Sequence, residues 1–137
     1  MTNFINLKRL FFVLLITNAG CMPDLKPSFH TTEIKSEQFT DKLFIKTKNW
    51  GMTGDSKITT ISLVENIDFD KTQSDTYYIF EGLDPFFYRQ SDDSLILYCM
   101  TRIKVPKNFN TKWKIILNQV DNTTFMNLYK DNIYSRP

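Results

Sequence analysis

Histidine, cysteine and glycine are all scarce in this 137-residue sequence, which contains one, two and four of them respectively. Zinc sites are normally built from several histidines and cysteines, so the composition predicts no metal centre of that kind. The single histidine, His30, lies in a stretch that we expect to be a linker, where it cannot be held against a nucleophile as a histidine base must be. The sequence therefore predicts no histidine-assisted enzyme, and no motif points to a cofactor.

Net charge is also missing once the first twenty residues are set aside. The whole chain has 17 Lys and Arg against 15 Asp and Glu, and two of the bases, Lys8 and Arg9, stand in the first twenty residues without any acid. The remainder is formally neutral. Because nucleic-acid binding requires a clear basic excess, we expect no nucleic-acid partner.

A long apolar run is absent too, although a short one stands near the start. Residues 10–16 are apolar throughout, whereas a transmembrane helix needs about 20 such residues. This run follows two bases and ends in small and polar residues, which is the order of a secretory signal. Because Cys21 comes directly after Ala19 and Gly20, we predict a bacterial lipoprotein signal peptide over residues 1–20 and acylation of Cys21. The expected location is the cell envelope, with membrane attachment through the lipid.

Two alternatives to acylation remain open. Ordinary signal cleavage would use Thr17 and Ala19 as its small residues, and Cys21 would then be free to pair with Cys99 in a disulfide. Asn18 also stands where a lipoprotein signal usually has an aliphatic residue. Residues 21–39 are predicted to form a flexible tether, because prolines interrupt them and no apolar period is present. Within the tether, residues 32–36 have an alternative interpretation as a first edge strand.

Residues 40–137 are predicted to form one β-domain, because short segments rich in β-branched and aromatic residues alternate with turn residues. The glycines at 51 and 54 indicate a turn, and residues 90–93 indicate a hairpin turn. Residues 94–100 are apolar on both faces and are placed at the centre of the core. A short helical turn is expected at residues 123–129. We predict an all-β fold, either an antiparallel Ig-like β-sandwich or a small open barrel of six to seven strands.

Three stretches of this domain resemble a known group of proteins. Residues 48–55 (KNWGMTGD), 78–82 (YIFEG) and 85–88 (PFFY) are similar to segments of small exported bacterial lipoproteins of unassigned function. The resemblance covers roughly residues 42–129. It implies export and supports the domain boundary, but it implies no catalytic residue, ligand or cofactor.

The remaining reactive side chains are predicted to be structural. Cys99 lies in the most apolar segment and is expected in the core rather than at a reactive site. The acid pairs at 68 and 70 and at 92 and 93 are expected in solvated turns, although facing acids would permit a carboxylate-only hydrolase. The aromatics at 77, 78, 80 and 86–88 are expected mainly in the core, with stacking on a sugar or a protein as the alternative.

One segment concentrates positive charge that the net value conceals. No acid stands between Asp93 and Asp121, and this interval holds several bases with interleaved aromatics. We predict a candidate binding surface for an anionic lipid, glycan or protein, or else a basic loop that pairs with the acidic residues 65–81. Its residues are Arg102, Lys104, Lys107, Phe109, Lys112, Trp113 and Lys114.

The sequence therefore favours a lipid-anchored envelope domain that acts as a binding or interaction module without enzymatic activity, in contact with the membrane and with an envelope protein or glycan. An immunity-type protein that blocks a toxin and a carboxylate-only hydrolase are the alternatives.

Overall fold

The computed structural model describes residues 26–71, 73 and 75–137, so the predicted signal peptide and Cys21 lie outside the described residues. No helix in that part of the chain is long and apolar enough to cross a membrane. The described residues form seven strands, a short 3-10 helix at Phe69–Lys71 and one α-helix, α1, at Asn122–Leu128. The strands are β1 Ser28–Lys35, β2 Lys42–Trp50, β3 Ser56–Ser62, β4 Tyr78–Glu81, β5 Phe87–Ser91, β6 Ser94–Cys99 and β7 Lys114–Gln119.

The first four strands form one antiparallel sheet, sheet A, in the order β1-β2-β3-β4. Residues alternate along β2, so that Leu43, Ile45 and Thr47 are buried while their neighbours face outward. The turn from β2 to β3 has Gly51 and Gly54 at φ of 97° and 68°, a backbone conformation that suits glycine. The predicted glycine turn is therefore confirmed.

The last three strands form sheet B, in the order β5-β6-β7. A tight turn joins β5 to β6, and Asp92 adopts a φ of 48° within it. Strand β7 pairs with β6 in the parallel direction, with Ser94 opposite Lys114 and Cys99 opposite Gln119. A parallel partner needs a long return connection, which residues 100–113 supply. We call residues 100–113 the crossover.

The main core lies between the two sheets. Its members come from the inner faces of both sheets and include Leu43, Ile45, Phe80, Leu95 and Leu97, all fully or almost fully buried. The crossover contributes to the same core through Ile103, Phe109 and Trp113. A second, smaller cluster lies on the outer face of sheet B and is formed by Phe87, Phe125 and Leu128.

Helix α1 covers that outer face. The carboxylate of Asp121 accepts a hydrogen bond from the backbone N–H of Thr124 at 2.7 Å and thereby caps the first turn. Phe125 then packs against Phe87 with ring centroids 4.9 Å apart. Strand β6 consequently has apolar neighbours on both sides, which agrees with its prediction as the central strand.

The prediction of an all-β sandwich is confirmed, with two differences in detail. Sequence-adjacent strands lie next to each other within each sheet, and no strand is exchanged between the sheets as in an immunoglobulin Greek key, in the part of the chain that the structure describes. The β6–β7 pair is parallel, whereas the sequence predicts antiparallel pairing throughout.

The flexible-tether prediction for residues 21–39 is wrong over Ser28–Lys35. These residues form β1 and pair along their whole length with β2. The alternative of an edge strand over residues 32–36 is therefore correct in kind, although the strand begins four residues earlier and ends at Lys35. The physical reason is that the edge of β2 would otherwise leave its backbone N–H and C=O groups unpaired, and β1 pairs with them. Backbone pairing therefore holds this strand, and Ile34 is its one buried side chain. His30 accordingly lies on a strand, exposed to water, within 3.3 Å of the Thr32 hydroxyl.

Candidate functional site

The crossover carries most of the predicted basic residues, but the structure separates them into two groups. Arg102, Lys104 and Lys107 are exposed on its first half, which begins where β6 ends. Lys112 and Lys114 stand where β7 begins. Because β6 and β7 are parallel and in register, the end of β6, which Arg102 follows, lies roughly 17 Å along the strands from the start of β7, where Lys112 and Lys114 stand. Lys104 and Lys107 lie on the connection between these two ends, beside Asp75. The predicted surface therefore does not bring Arg102 together with Lys112 and Lys114.

The two aromatics of the predicted surface are packing residues, which corrects their assignment as partner contacts. Trp113 is only 4% exposed, and its indole N–H donates to the backbone carbonyl of Asp41 at 2.9 Å. Its ring meets Phe39 edge-on at a centroid distance of 5.2 Å. Phe109 is half-buried against Tyr78 at 5.0 Å. Both rings are used to hold the crossover against the core.

Polar contacts fix the crossover near its middle and at its end. Near its middle, the backbone N–H of Asn108 donates to the carbonyl of Asp75 at 2.8 Å, and the Lys104 ammonium lies 3.2 Å from the Asp75 carboxylate. At its end, the backbone N–H of Lys112 donates to the Asp41 carboxylate at 3.0 Å. The sequence alternative, in which basic and acidic segments pair with each other, thus holds for Lys104.

Arg102 differs from Lys104 in its ion pairing. It is exposed and makes no ion pair with an acid in the described ranges. The Lys104–Asp75 pair is itself largely solvent-exposed, so it contributes only about 0–1 kcal/mol and leaves Lys104 partly neutralised. The charges of Arg102 and Lys107, which is also exposed and outside the ion pairs of the described residues, are therefore more available to a partner than that of Lys104.

A partly open cavity of about 550 Å³ lies beside Arg102, and we call it the slot. It is formed between residues 101–105 of the crossover and the ends of β6 and β7. Its apolar lining is Cys99, Ile103, Val105 and Leu117, and its polar lining is Thr101, Arg102, Lys104, Asn118 and Gln119.

Cys99 forms part of the slot lining but is buried and unpaired. Burial raises the pKa of its thiol to about 11, since no positive charge offsets the desolvation of the thiolate. The thiol therefore stays protonated at neutral pH. This outcome agrees with the prediction of a core residue rather than a nucleophile.

The predicted acid pairs are all exposed to solvent, as expected. Asp92 and Asp93 lie in the β5–β6 turn, whereas Asp70 lies in the 3-10 helix Phe69–Lys71 and Asp68 directly precedes it. The Asp68 carboxylate accepts from the backbone N–H of Asp70 and lies 3.2 Å from Lys71, and these contacts lower the pKa of Asp68. Asp70 in turn lies 3.2 Å from Lys48. Asp93 accepts from the hydroxyl of Ser94 at 2.8 Å within the β5–β6 turn.

The described residues include no group of three or more acids, histidines or cysteines that could hold a metal ion. One further cavity, of about 520 Å³, is lined by two acids, Glu37 and Asp92. Both acids are exposed, and Lys35 lines the cavity with them. The cavity is a solvated groove beside the β5–β6 turn.

The predicted aromatics at positions 77–88 are mainly core residues. Tyr78, Phe80, Phe86 and Phe87 are buried, whereas Tyr77 and Tyr88 are half-buried. This arrangement agrees with the packing interpretation and leaves no aromatic platform for a sugar among these six residues.

Comparisons with protein-family models, with curated proteins and with solved structures find no match for this chain. The candidate site therefore rests on its own geometry. The sequence prediction missed the lining residues Leu117, Asn118 and Gln119, because they join the slot only through the parallel pairing of β7. The one local signal for the slot was the acid-free segment that follows Cys99.

Proposed function

We propose that the protein is a lipid-anchored binding module of the bacterial cell envelope that docks an anionic partner on the first half of its crossover. The observation that carries the proposal is the exposure of Arg102, Lys104 and Lys107 on a connection that is packed against the core. No acid occurs within the crossover to neutralise them locally. An immunity-type role is the special case in which the anionic partner is a toxin.

The electrostatic argument concerns local potential rather than net charge. An anionic membrane surface attracts each nearby basic residue by about 1 kcal/mol, so three of them supply on the order of 3 kcal/mol at most. The Asp75 carboxylate partly neutralises Lys104 and therefore reduces the contribution of Lys104 to this attraction. Such an attraction is enough for association that is weak in solution and effective for a domain already held at a membrane.

The anchor is the second part of the proposal. Residues 10–21 have the order of a lipoprotein signal, and Cys99 is buried in the sandwich, which argues against a Cys21–Cys99 disulfide. Mass spectrometry of the membrane fraction should find acyl groups on Cys21, and Cys21→Ser should release the chain in folded form. A mature chain that is soluble with unmodified Cys21, or that contains a disulfide, would contradict the anchor.

The docking part is tested with a chain starting at Met22, which retains both sheets and both clusters. Sedimentation with anionic vesicles, neutral vesicles and acidic envelope glycans should show binding to an anionic probe that weakens as added salt reduces the Debye length below about 8 Å. Arg102→Glu with Lys107→Glu should abolish it. Lys112→Glu with Lys114→Glu makes the same charge change at the far end of sheet B and should leave most of the binding intact.

Absence of binding to every anionic probe at low salt would refute the docking proposal. Equal loss in both double variants would show that the total charge matters rather than the first half of the crossover, and would refute the assigned surface. Circular dichroism of each variant checks that the exposed substitutions leave the fold unchanged.

A further inference from the structure

We propose that the slot binds the carboxylate head and the first methylenes of a fatty-acid-like anion. The inference rests on the proposed function, because it names a ligand class for the same basic end of the crossover. It differs in what it requires: an apolar recess beside one available positive charge, rather than a charged surface alone.

The apolar part of the slot continues the main core to the surface. Cys99 ends β6, and Leu117 lies two residues before the end of β7 on the same inner face of sheet B. Cys99 belongs to the main core, and Leu117 and Ile103 pack against it. Val105 also lines the apolar part of the slot and is 59% exposed. Methylenes that enter the slot would cover apolar surface that is now in contact with water, and each buried methylene strengthens binding.

The polar part of the slot matches a carboxylate. The Arg102 guanidinium presents parallel N–H donors, which pair with the two oxygens of a carboxylate. Thr101 also lines this cavity, whereas Asn118 is opposite Tyr98 on the outer face of sheet B and contributes its backbone to the lining. Gln119 is oriented there by its own amide, which donates to the carbonyl of Met100 at 3.5 Å.

The charge of the lining favours a ligand with one negative charge. Arg102 and Lys104 are the two bases of the slot, and Lys104 lies 3.2 Å from the Asp75 carboxylate. The two bases and Asp75 together therefore carry a net charge of +1. A carboxylate neutralises it, whereas a phosphate monoester near its second ionisation carries close to two negative charges and would be left partly unpaired in a half-apolar recess.

The size of the slot also suits a small amphiphile. Its volume of about 550 Å³ falls within the range of roughly 300–1,000 Å³ typical of small-molecule sites. Because the slot is partly open, it can hold the head and the first carbon atoms while the rest of the chain extends outward. A fatty acid in a membrane surface offers its head group in this manner.

The experiment is a titration of the chain starting at Met22 with octanoate below its micelle concentration, followed by backbone amide NMR. Amides of residues 101–105 and 117–119 should shift in a saturable way. Hexanoate, octanoate and decanoate should bind in rising order, by up to about fourfold per added methylene while the methylenes remain inside the slot. Acetate tests the head without a chain, and octanol and octyltrimethylammonium test the chain without the negative charge.

The decisive variant is Arg102→Gln, which removes the charge but retains a polar side chain at an exposed position. It should weaken octanoate binding by at least tenfold, since a hydrogen bond to a charged group is worth that much or more. Lys112→Gln is the matched control, with the same change of charge outside the slot, and should bind octanoate within about twofold of the unchanged chain.

The remaining outcomes overturn the inference or separate it from the proposed function. Equal binding of octanol and octanoate would show that the negative charge of the carboxylate does not contribute to binding. Tighter binding of octyl phosphate than of octanoate would refute the preference for a monoanion. Octanoate that shifts no slot amide while anionic vesicles still bind would refute the slot and leave the proposed function standing. Octanoate binding in the slot by an unchanged chain that binds no anionic vesicle or glycan would support the slot and refute the docking surface.

Discussion

Two threonine hydroxyls meet inside the sandwich, and their substitution gives a sharp test of how the core of sheet A is stabilised. Thr47 of β2 and Thr59 of β3 are directly opposite each other, both are buried, and their Oγ1 atoms lie 3.0 Å apart. Either hydroxyl donates to the other. We expect Thr47→Val and Thr59→Val to be destabilising one at a time and nearly neutral together.

The magnitudes follow from the unpaired group that each single variant leaves behind. Replacing one threonine by valine removes the hydrogen bond and leaves the other hydroxyl buried without that partner, which costs about 1–3 kcal/mol. Replacing both removes both polar groups while the shape is retained, so the double variant should lie within about 1 kcal/mol of the unchanged chain. The coupling between the two sites should therefore be about 1–3 kcal/mol.

Urea unfolding of the chain starting at Met22 measures these differences through the midpoint, with the slope m expected to be unchanged. Thr31→Val is the matched control, because Thr31 is exposed on β1 and the substitution there should change the free energy of unfolding by less than about 0.5 kcal/mol. Additive effects, in which the double variant loses the sum of the two single losses, would refute the reasoning. They would mean that each hydroxyl acts independently of the other.

Two further predictions concern titratable groups. With Cys21 replaced by serine, Cys99 should react with a thiol reagent at pH 8 at least about tenfold more slowly than an exposed thiol of pKa 9, because its pKa is raised to about 11 and the gain in thiolate nucleophilicity offsets only part of the lost thiolate fraction. A rate typical of an exposed cysteine would contradict the burial. The hydrogen bonds from Thr124 hold the pKa of Asp121 below its ordinary value, so its cap on α1 stabilises the protein above about pH 4 and is lost as pH falls through the folded-state pKa. Asp121→Asn keeps a good N-cap but removes the titrating group. Acid unfolding followed by circular dichroism should therefore show that the unchanged chain loses stability relative to this variant as the pH falls. Equal acid dependence of the two chains would contradict the assignment.

The candidate site was only partly accessible to sequence analysis. An acid-free stretch of bases is visible in the linear sequence, and it led to Arg102, Lys104 and Lys107. The position of Lys112 and Lys114 at the other end of sheet B was not visible, because it depends on the direction in which β7 pairs with β6. The slot depends on the same pairing, since Leu117 and Gln119 reach it only from the end of a parallel strand.

The sequence by itself determined the local features of this protein. Alternation of apolar and polar residues specified β2, the apolar residues on both faces of β6 specified a central strand, and Gly51 and Gly54 specified the turn after β2. These features are readable because side-chain alternation and positive φ are properties of single segments.

Only the tertiary structure decided how the segments meet. Parallel and antiparallel strands share the same two-residue period, so the pattern of β7 did not reveal its direction. Strand β1 exists because the edge of β2 accepts it, although only Ile34 among its residues is buried. Trp113 could be assigned to surface or core from its sequence neighbours, and it is buried because the crossover brings it to Phe39 and the carbonyl of Asp41. In each case the deciding contact joins residues that are distant in the chain, and no local pattern encodes it.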